Sequence, residues 1–167
     1  APFSMEELEK VIRSTKRKAP GADEIFITQF KTLSTASKSI LLDIYNRVWM
    51  EGLIPSSWKK SVLVPILKKG KTPGEVASYR PISLLPVIGK IFESLTLPRL
   101  VDYFGVRNLI PCFQMGFRKG KSTSLNIRAL FNSSYYQSVR AGKPRPTLAV
   151  FFDAKKAFDT VWHPGLI

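Results

Sequence analysis

Two carboxylates near the end of the chain have the type and spacing for phosphate chemistry. Asp153 stands at the end of the unbroken apolar run Leu148 to Phe152, and Asp159 follows six residues later. So short an apolar run, with Pro144 and Pro146 just upstream, reads as a strand buried on both faces. A carboxylate at its tip gives packing nothing, and it is costly there unless a cation, a donor network or open solvent receives it. Hard oxygen ligands on a rigid element suit Mg²⁺, so Asp153 is expected to be a metal ligand. Asp159 falls in the first turns of a helix expected to start near Lys155, where capping and the helix dipole favour aspartate without any metal. The D-x5-D pair alone would also serve a phosphohydrolase, and a site for two ions usually needs further acidic ligands. Cys112 is the single cysteine and His163 the single histidine. Neither a disulfide framework nor a Cys/His zinc cluster can be assembled within one chain, which leaves oxygen as the metal ligand.

The second chemical signal is cationic. Lysine and arginine number 26 against 12 acidic residues, a formal charge of +14, which makes a polyanion the expected partner, nucleic acid ahead of an anionic membrane surface. Lys68, Lys69 and Lys71 precede Arg80 on one polar segment, and Gln114 to Lys121 sets Arg118, Lys119 and Lys121 around Gly116 and Gly120. Glycines let backbone amides approach a phosphate chain that the cations neutralise. Phe113, just before that block, and Phe117 within it could stack bases or be buried. No run approaches the roughly 18 apolar residues of a membrane span, and the acidic, capped start is not a secretory signal. The chain starts at Ala1 without a methionine, as an excised or processed piece would, and a reducing, intracellular setting is expected.

These groups need elements to hold them, and the pattern predicts a mixed helix and strand chain with a real core, 44% of it hydrophobic. Ser4 to Glu7 has the form of a capping box, stapled by Phe3 and Leu8, opening a helix that runs to about Lys18. A second helical region spans about Ile27 to Glu51, with Ile40, Leu41, Ile44, Tyr45 and Val48 as its inner face and Gly52 as its stop. Ser61 to Leu67 reads as a strand in which Pro65 implies an edge or a bulge. Lys68 to Ser78 is a loop, Ile82 to Leu85 a short returning strand, and Val87 to Phe104 a helix that Pro98 kinks or divides. A further helix, capped by Ser122 or Thr123, turns Ile127, Leu130, Phe131, Ser134 and Tyr135 inward.

Five blocks carry a resemblance: KAPGADEI (Lys18 to Ile25), WKKSVLVPILKKGK (Trp58 to Lys71), SYRPISLLPVIGKIFE (Ser78 to Glu93), QMGFRKGKST (Gln114 to Thr123) and FFDAKKAFDTVWH (Phe151 to His163). Taken in order, they resemble the reverse transcriptases of non-LTR retrotransposons. The resemblance implies a partial right-hand polymerase fold, α/β (α+β) in class, with helical fingers, short β-strands and the first palm strand. One partial domain is expected, residues 1–140 forming fingers with associated helices and 141–167 the start of the palm. Asp153 would be the first catalytic aspartate, ligating both Mg²⁺ ions (Mn²⁺ being a possible substitute), with the backbone carbonyl of Ala154 on one of them. Phe158 would be the ring that excludes a 2′-hydroxyl from the incoming sugar; without the resemblance it reads as a core aromatic. Asp159 belongs to the motif without an assigned chemical role.

Arg80 would contact the dNTP triphosphate, since a planar guanidinium can bind phosphate oxygens bidentately. Of the nearby lysines, Lys68 is the one assigned to the same phosphates. Gln114, Gly116, Arg118, Lys119 and Lys121 would touch template backbone. The KAPGAD block would be a template-side or nucleotide-side turn, though Gly21 and Asp23 equally make a plain turn. Partners implied are an RNA template, a DNA primer or RNA-DNA hybrid, and dNTP, with no membrane and a nuclear place of action for the parent. The family's later blocks, including the second pair of palm aspartates, are not in these residues, so the fragment alone is expected to be inactive. Glu24 stands where the family usually has glycine, and Pro98 interrupts a usually continuous helix. The competing expectation is a non-enzymatic RNA-binding module that keeps the fold.

Overall fold

The computed structural model describes residues 1–16, 19–144, 146, 148–154, 157 and 160–165. The chain forms two compact units, Ala1–Leu109 and Ile110–Ile167. The first holds helices α1 (Met5–Ser14), α2 (Ile27–Lys31), α3 (Thr35–Glu51) and α4 (Ser56–Lys59), strands β1 (Val62–Leu67) and β2 (Tyr79–Leu84), and helix α5 (Val87–Val106). The second holds α6 (Thr123–Arg140) and a single 3-10 turn at His163–Gly165.

Helix α1 begins as the capping box predicts. Ser4 Oγ accepts from the Glu7 N–H at 3.2 Å and the Glu7 carboxylate accepts from the Ser4 N–H at 2.7 Å. It stops at Ser14, earlier than expected, because Thr15 turns extended and caps the helix, its N–H and Oγ1 both donating to the Val11 carbonyl. The region 27–51 is two helices, not one. Ser34 leaves helical geometry and its hydroxyl accepts from the Ser37 N–H, so α3 starts afresh from its own cap. On α3 the inward residues are Leu41, Tyr45 and Val48, at i, i+4 and i+7, whereas Ile40 and Ile44 face out. Gly52 ends the helix in the left-handed conformation with its N–H on the Val48 carbonyl.

The core is one cluster drawn from every helix of the first unit: Phe3, Leu8 and Ile12, with Phe30, Tyr45, Trp58, Ile91 and Phe92 among its other members. At its centre Tyr45, Trp58 and Phe92 meet pairwise with ring centroids 5.6–5.9 Å apart. Burial pushes the Tyr45 phenol far above its ordinary range, and its proton is committed to the Ile88 carbonyl at 2.9 Å. The first residues are tied down from two sides. Asn46 makes a two-way clamp on the Phe3 backbone, and Arg99 donates to the Ala1 and Pro2 carbonyls while its guanidinium lies 4.2 Å over the Phe3 ring.

Strands β1 and β2 form a two-stranded antiparallel hairpin in continuous register, Val62 opposite Leu84 through to Leu67 opposite Tyr79. Pro65 faces Pro81 across it. The Lys68 N–H donates to the Ser78 carbonyl at 2.8 Å. Counting back by twos along the register makes Ile66–Arg80 a hydrogen-bonded pair and Pro65–Pro81 a non-hydrogen-bonded one. Both prolines therefore sit where no ladder donor is needed, and no bulge is required. Helix α5 runs on through Pro98, so of the two expectations, a kink or a division, the helix is not divided there. The missing N–H forfeits one bond to the preceding turn, and packing of Val87, Ile91, Phe92 and Leu95 holds the first half of the helix regardless. Asn108, at φ 52°, closes α5, with the Leu109 N–H reaching back to the Phe104 carbonyl.

The second unit departs furthest from expectation. Helix α6 is capped by Ser122, whose hydroxyl accepts from the Leu125 N–H, but it buries no residue, and Ile127, Leu130, Phe131 and Tyr135 are all exposed. Leu148 to Phe152 is not a strand and is solvent-facing, Leu148 at 88% and Phe152 at 93% exposure. A strand buried on both faces needs flanking strands and two covering layers. Among the described residues the one sheet is the β1–β2 hairpin, which does not include this run. The helix expected from near Lys155 falls mostly outside the described residues. The class that results is mixed helix with a small antiparallel sheet, compatible with α+β.

Candidate functional site

On the hairpin, Arg80 lies opposite Ile66, exposed, and among the described residues no carboxylate pairs with it. Side chains two apart on a strand share a face, so Arg80 projects from the same side as Ile66, Val64 and Ile82. A planar guanidinium carries five donors in a fork whose geometry matches a carboxylate or a phosphate. Lys68 sits one hydrogen-bonded pair further toward the loop on that same side, but its ammonium folds back onto the Ala77 carbonyl at 2.7 Å. Lys69 and Lys71 are exposed on the loop, which turns at Gly70 (φ 75°) and Gly74 (φ 102°). The structure thus brings Arg80 and the lysines onto one hairpin and occupies Lys68 locally.

The KAPGAD block gains a structural role that its turn signature does not reveal. Gly21 packs against the start of α5 so tightly that a Cβ there would lie 2.5 Å from the Pro86 nitrogen and 2.8 Å from the Leu85 carbonyl carbon. Beneath it the buried Lys90 donates from Nζ to the Ala19 carbonyl at 2.9 Å. This loop therefore fixes the junction through which β2, and with it Arg80, passes into α5. Glu24 holds a φ of 55°, a left-handed conformation that glycine adopts freely and other residues do not, which gives a backbone reason for glycine at that position. Ala22, Asp23, Ser57, Trp58, Lys60, Pro86 and Ile88 line a cleft of about 330 Å³ beside the loop. The pattern of the sequence did not flag Lys90 or Arg99; each does its work through a carbonyl far away in sequence, and such pairing has no local signature.

In the second unit the block Gln114 to Lys121 is a chain of turns. The Gln114 N–H and the Arg118 guanidinium both donate to the Pro111 carbonyl, and the Lys121 N–H donates to the Arg118 carbonyl. Phe117 sits at φ 57° and Gly120 at φ 75°. Gly116 has open space around it, and Lys119 and Lys121 are exposed. Phe113 and Phe117 are exposed too, so the burial open to them on sequence grounds is not what the structure gives. Asp153 and Ala154 are exposed and outside any helix or strand. A carboxylate and a backbone carbonyl are oxygen donors of the kind Mg²⁺ takes, so the two fit that ion chemically. They do not make a complete site: among the described residues no three of His, Cys, Asp and Glu stand together to hold a metal. Phe158 and Asp159 lie outside the described residues.

Along the chain the structure thus sets out a hairpin with exposed cations, a glycine-punctuated basic block and an exposed aspartate at the end of an apolar run. Comparison with known proteins gives the chain its family: residues 66–167 match the reverse transcriptase (RNA-dependent DNA polymerase) family, and the chain belongs to it. Several of the proteins it is similar to are named RNA-directed DNA polymerases of mobile elements. It is 37% identical over 165 residues to the RNA-directed DNA polymerase from mobile element jockey of Drosophila melanogaster, covering 98% of this chain and 18% of the relative. It is 35% identical to the jockey polymerase of Drosophila funebris, and 35% to the probable RNA-directed DNA polymerase from transposon BS of Drosophila melanogaster, each covering 99% of this chain and 18% of the relative. The chain thus spans about a fifth of the length of these relatives. Among the described residues no helix is long and apolar enough to cross a membrane.

Proposed function

We propose that this chain supplies the fingers, about residues 1–140, and the opening of the palm, about 141–167, of an RNA-directed DNA polymerase. The reaction joins a primer 3′-hydroxyl to the α-phosphate of a dNTP on an RNA template and releases pyrophosphate. The observation that carries this reading is Arg80, exposed and without a carboxylate partner among the described residues, on a hairpin whose loop adds Lys69 and Lys71, within a chain of reverse transcriptase sequence. Its guanidinium grips the triphosphate and offsets charge that develops as the leaving group departs. Lys68 joins it by exchanging the Ala77 carbonyl for a phosphate oxygen. Gln114, Gly116, Arg118, Lys119 and Lys121 track the template backbone, where each cation adds to a salt-sensitive affinity.

Asp153 and the Ala154 carbonyl would hold the divalent cations, two Mg²⁺ in the complete enzyme with Mn²⁺ able to substitute. When bound, such ions activate the attacking hydroxyl and neutralise charge on the phosphoryl oxygens. Phe158 sets sugar choice by collision with a 2′-oxygen. These 167 residues alone, with no second palm carboxylate motif, give no Mg²⁺-dependent primer extension.

The test is steady-state kinetics on a polypeptide extended to a full polymerase domain. Arg80→Ala raises the KM for dNTP by roughly ten- to a hundredfold, the loss of charge-assisted hydrogen bonds, while RNA affinity holds. The reverse pattern would move Arg80 to the template. In the same assay Phe158→Ala admits ribonucleotides more readily, and unchanged discrimination would remove the sugar role.

A further inference from the structure

Between Asp102 and Asp153 the chain carries eight lysines and arginines and no acidic residue. Helix α6 lies within this stretch, buries nothing, and presents Tyr135 and Tyr136 at 66% and 62% exposure with ring centroids 5.8 Å apart and tilted by 67°. Arg128, Asn132, Tyr135 and Tyr136 recur at i, i+4, i+7 and i+8, so they share one side of the helix, and all four are exposed. Two rings, a guanidinium and an amide with no carboxylate nearby in sequence suit unpaired nucleic-acid bases. Rings offer stacking platforms, Arg128 can pair with phosphate or stack on a base, and Asn132 can bond to a base edge. Ile127 and Leu130 fall on a different side of the helix, while the exposed Leu125 and Val139 share the side of the tyrosines and add apolar surface on which a base can rest.

We propose that the Arg128, Asn132, Tyr135 and Tyr136 side of α6 is a second RNA contact, separate from the Gln114 to Lys121 block, that stacks unpaired bases of a single strand. The proposal rests on the reading that this chain's partner is nucleic acid. Charge complementarity selects that partner: an acid-free cationic stretch attracts a polyanion and repels none of its phosphates.

The test uses the 167-residue chain and a short fluorescent oligouridylate, with anisotropy read at several salt concentrations. Tyr135→Ala with Tyr136→Ala weakens binding about tenfold or more at every salt, and leaves the slope of log affinity against log salt unchanged, because stacking releases no counterions. Tyr135→Phe with Tyr136→Phe keeps wild-type affinity, since the rings remain; circular dichroism confirms that α6 survives in each variant. Arg128→Ala instead shallows the slope by about one. Wild-type affinity in the double alanine variant would overturn the stacking surface alone. Failure of the wild-type chain to bind RNA even at low salt would overturn both this proposal and the nucleic-acid reading beneath it. Loss of self-association in the alanine variant, with RNA affinity intact, would reassign the face to protein contact and overturn it as well.

Discussion

Replacing Phe92 with alanine lowers the unfolding free energy of the first unit by about 3–5 kcal/mol, the range for large-to-small changes of a buried aromatic. Phe92 is 8% exposed and meets Phe3, Tyr45 and Trp58 with ring centroids between 5.8 and 6.1 Å. Removing it strips contacts from the N-terminal segment, α3 and α4 at once. These elements are cross-braced around the ring, so they cannot collapse into the cavity without abandoning each other. Domains of this size hold about 5–15 kcal/mol in all, so the variant sits near the edge of folding. Urea denaturation followed by tryptophan fluorescence measures it, because Trp58 touches the site directly. A loss under about 1 kcal/mol would mean that the aromatic cluster is not the centre of the core.

Gly21→Ala is the second large effect, and it arises from backbone. The new methyl would sit 2.5–2.8 Å from Pro86 and Leu85 main-chain atoms, which cannot rotate aside as a side chain could. Overpacking of this kind costs about 1–3 kcal/mol, and here it also pulls the Ala19 carbonyl from the buried Lys90 ammonium. Gly105→Ala is the control. It sits in α5 with nothing within 4 Å of the added methyl, so the change should stabilise by about 0.5–1 kcal/mol through helix propensity. Equal, near-zero effects at both glycines in the same denaturation assay would contradict the docking of the KAPGAD loop on α5. If that docking fixes the hairpin as argued above, Gly21→Ala in a full polymerase domain also loosens the placement of Arg80.

What the sequence disclosed well was local. Ser4, Gly52 and Ser122 announce helix ends by their own hydrogen bonds or their own φ, and Pro65 announces an edge strand by the donor it lacks. Tertiary choices were less legible. The periodicity of α3 admits two adjacent faces, and only the positions of Trp58 and Phe92 decide that Leu41 and Tyr45 turn inward while Ile40 and Ile44 do not. Pro98 signals a kink or a division of α5, yet the helix is not divided, since burial of Ile91, Phe92 and Leu95 outweighs one missing hydrogen bond. The apolar runs of α6 and of Leu148 to Phe152 state that a segment favours cover; they do not name what covers it, and among the described residues both remain open to solvent.

The site was legible in a different way. Ordered blocks of sequence single out Arg80, the lysines and Asp153, and the match over residues 66–167 bears out the family those blocks resemble; the roles of the single residues are the ones proposed above. The structure adds the hairpin that carries Arg80, the local engagement of Lys68 and the loop that buttresses the β2–α5 junction. It also shows the backbone reason for glycine at the position of Glu24, whose left-handed conformation glycine adopts without strain.

The central claim is that Asp153 serves nucleotidyl transfer in an RNA-templated DNA polymerase. The direct measurement is Mg²⁺-dependent dNTP incorporation on an RNA template by a polypeptide extended to a full polymerase domain, wild type beside Asp153→Asn. The substitution keeps size and removes the charge a divalent cation needs, so extension should fall by about a thousandfold or more while RNA affinity is unchanged. Extension by Asp153→Asn at the wild-type rate, or none by either protein with RNA binding intact, would contradict it; the latter result would make the chain a binding module.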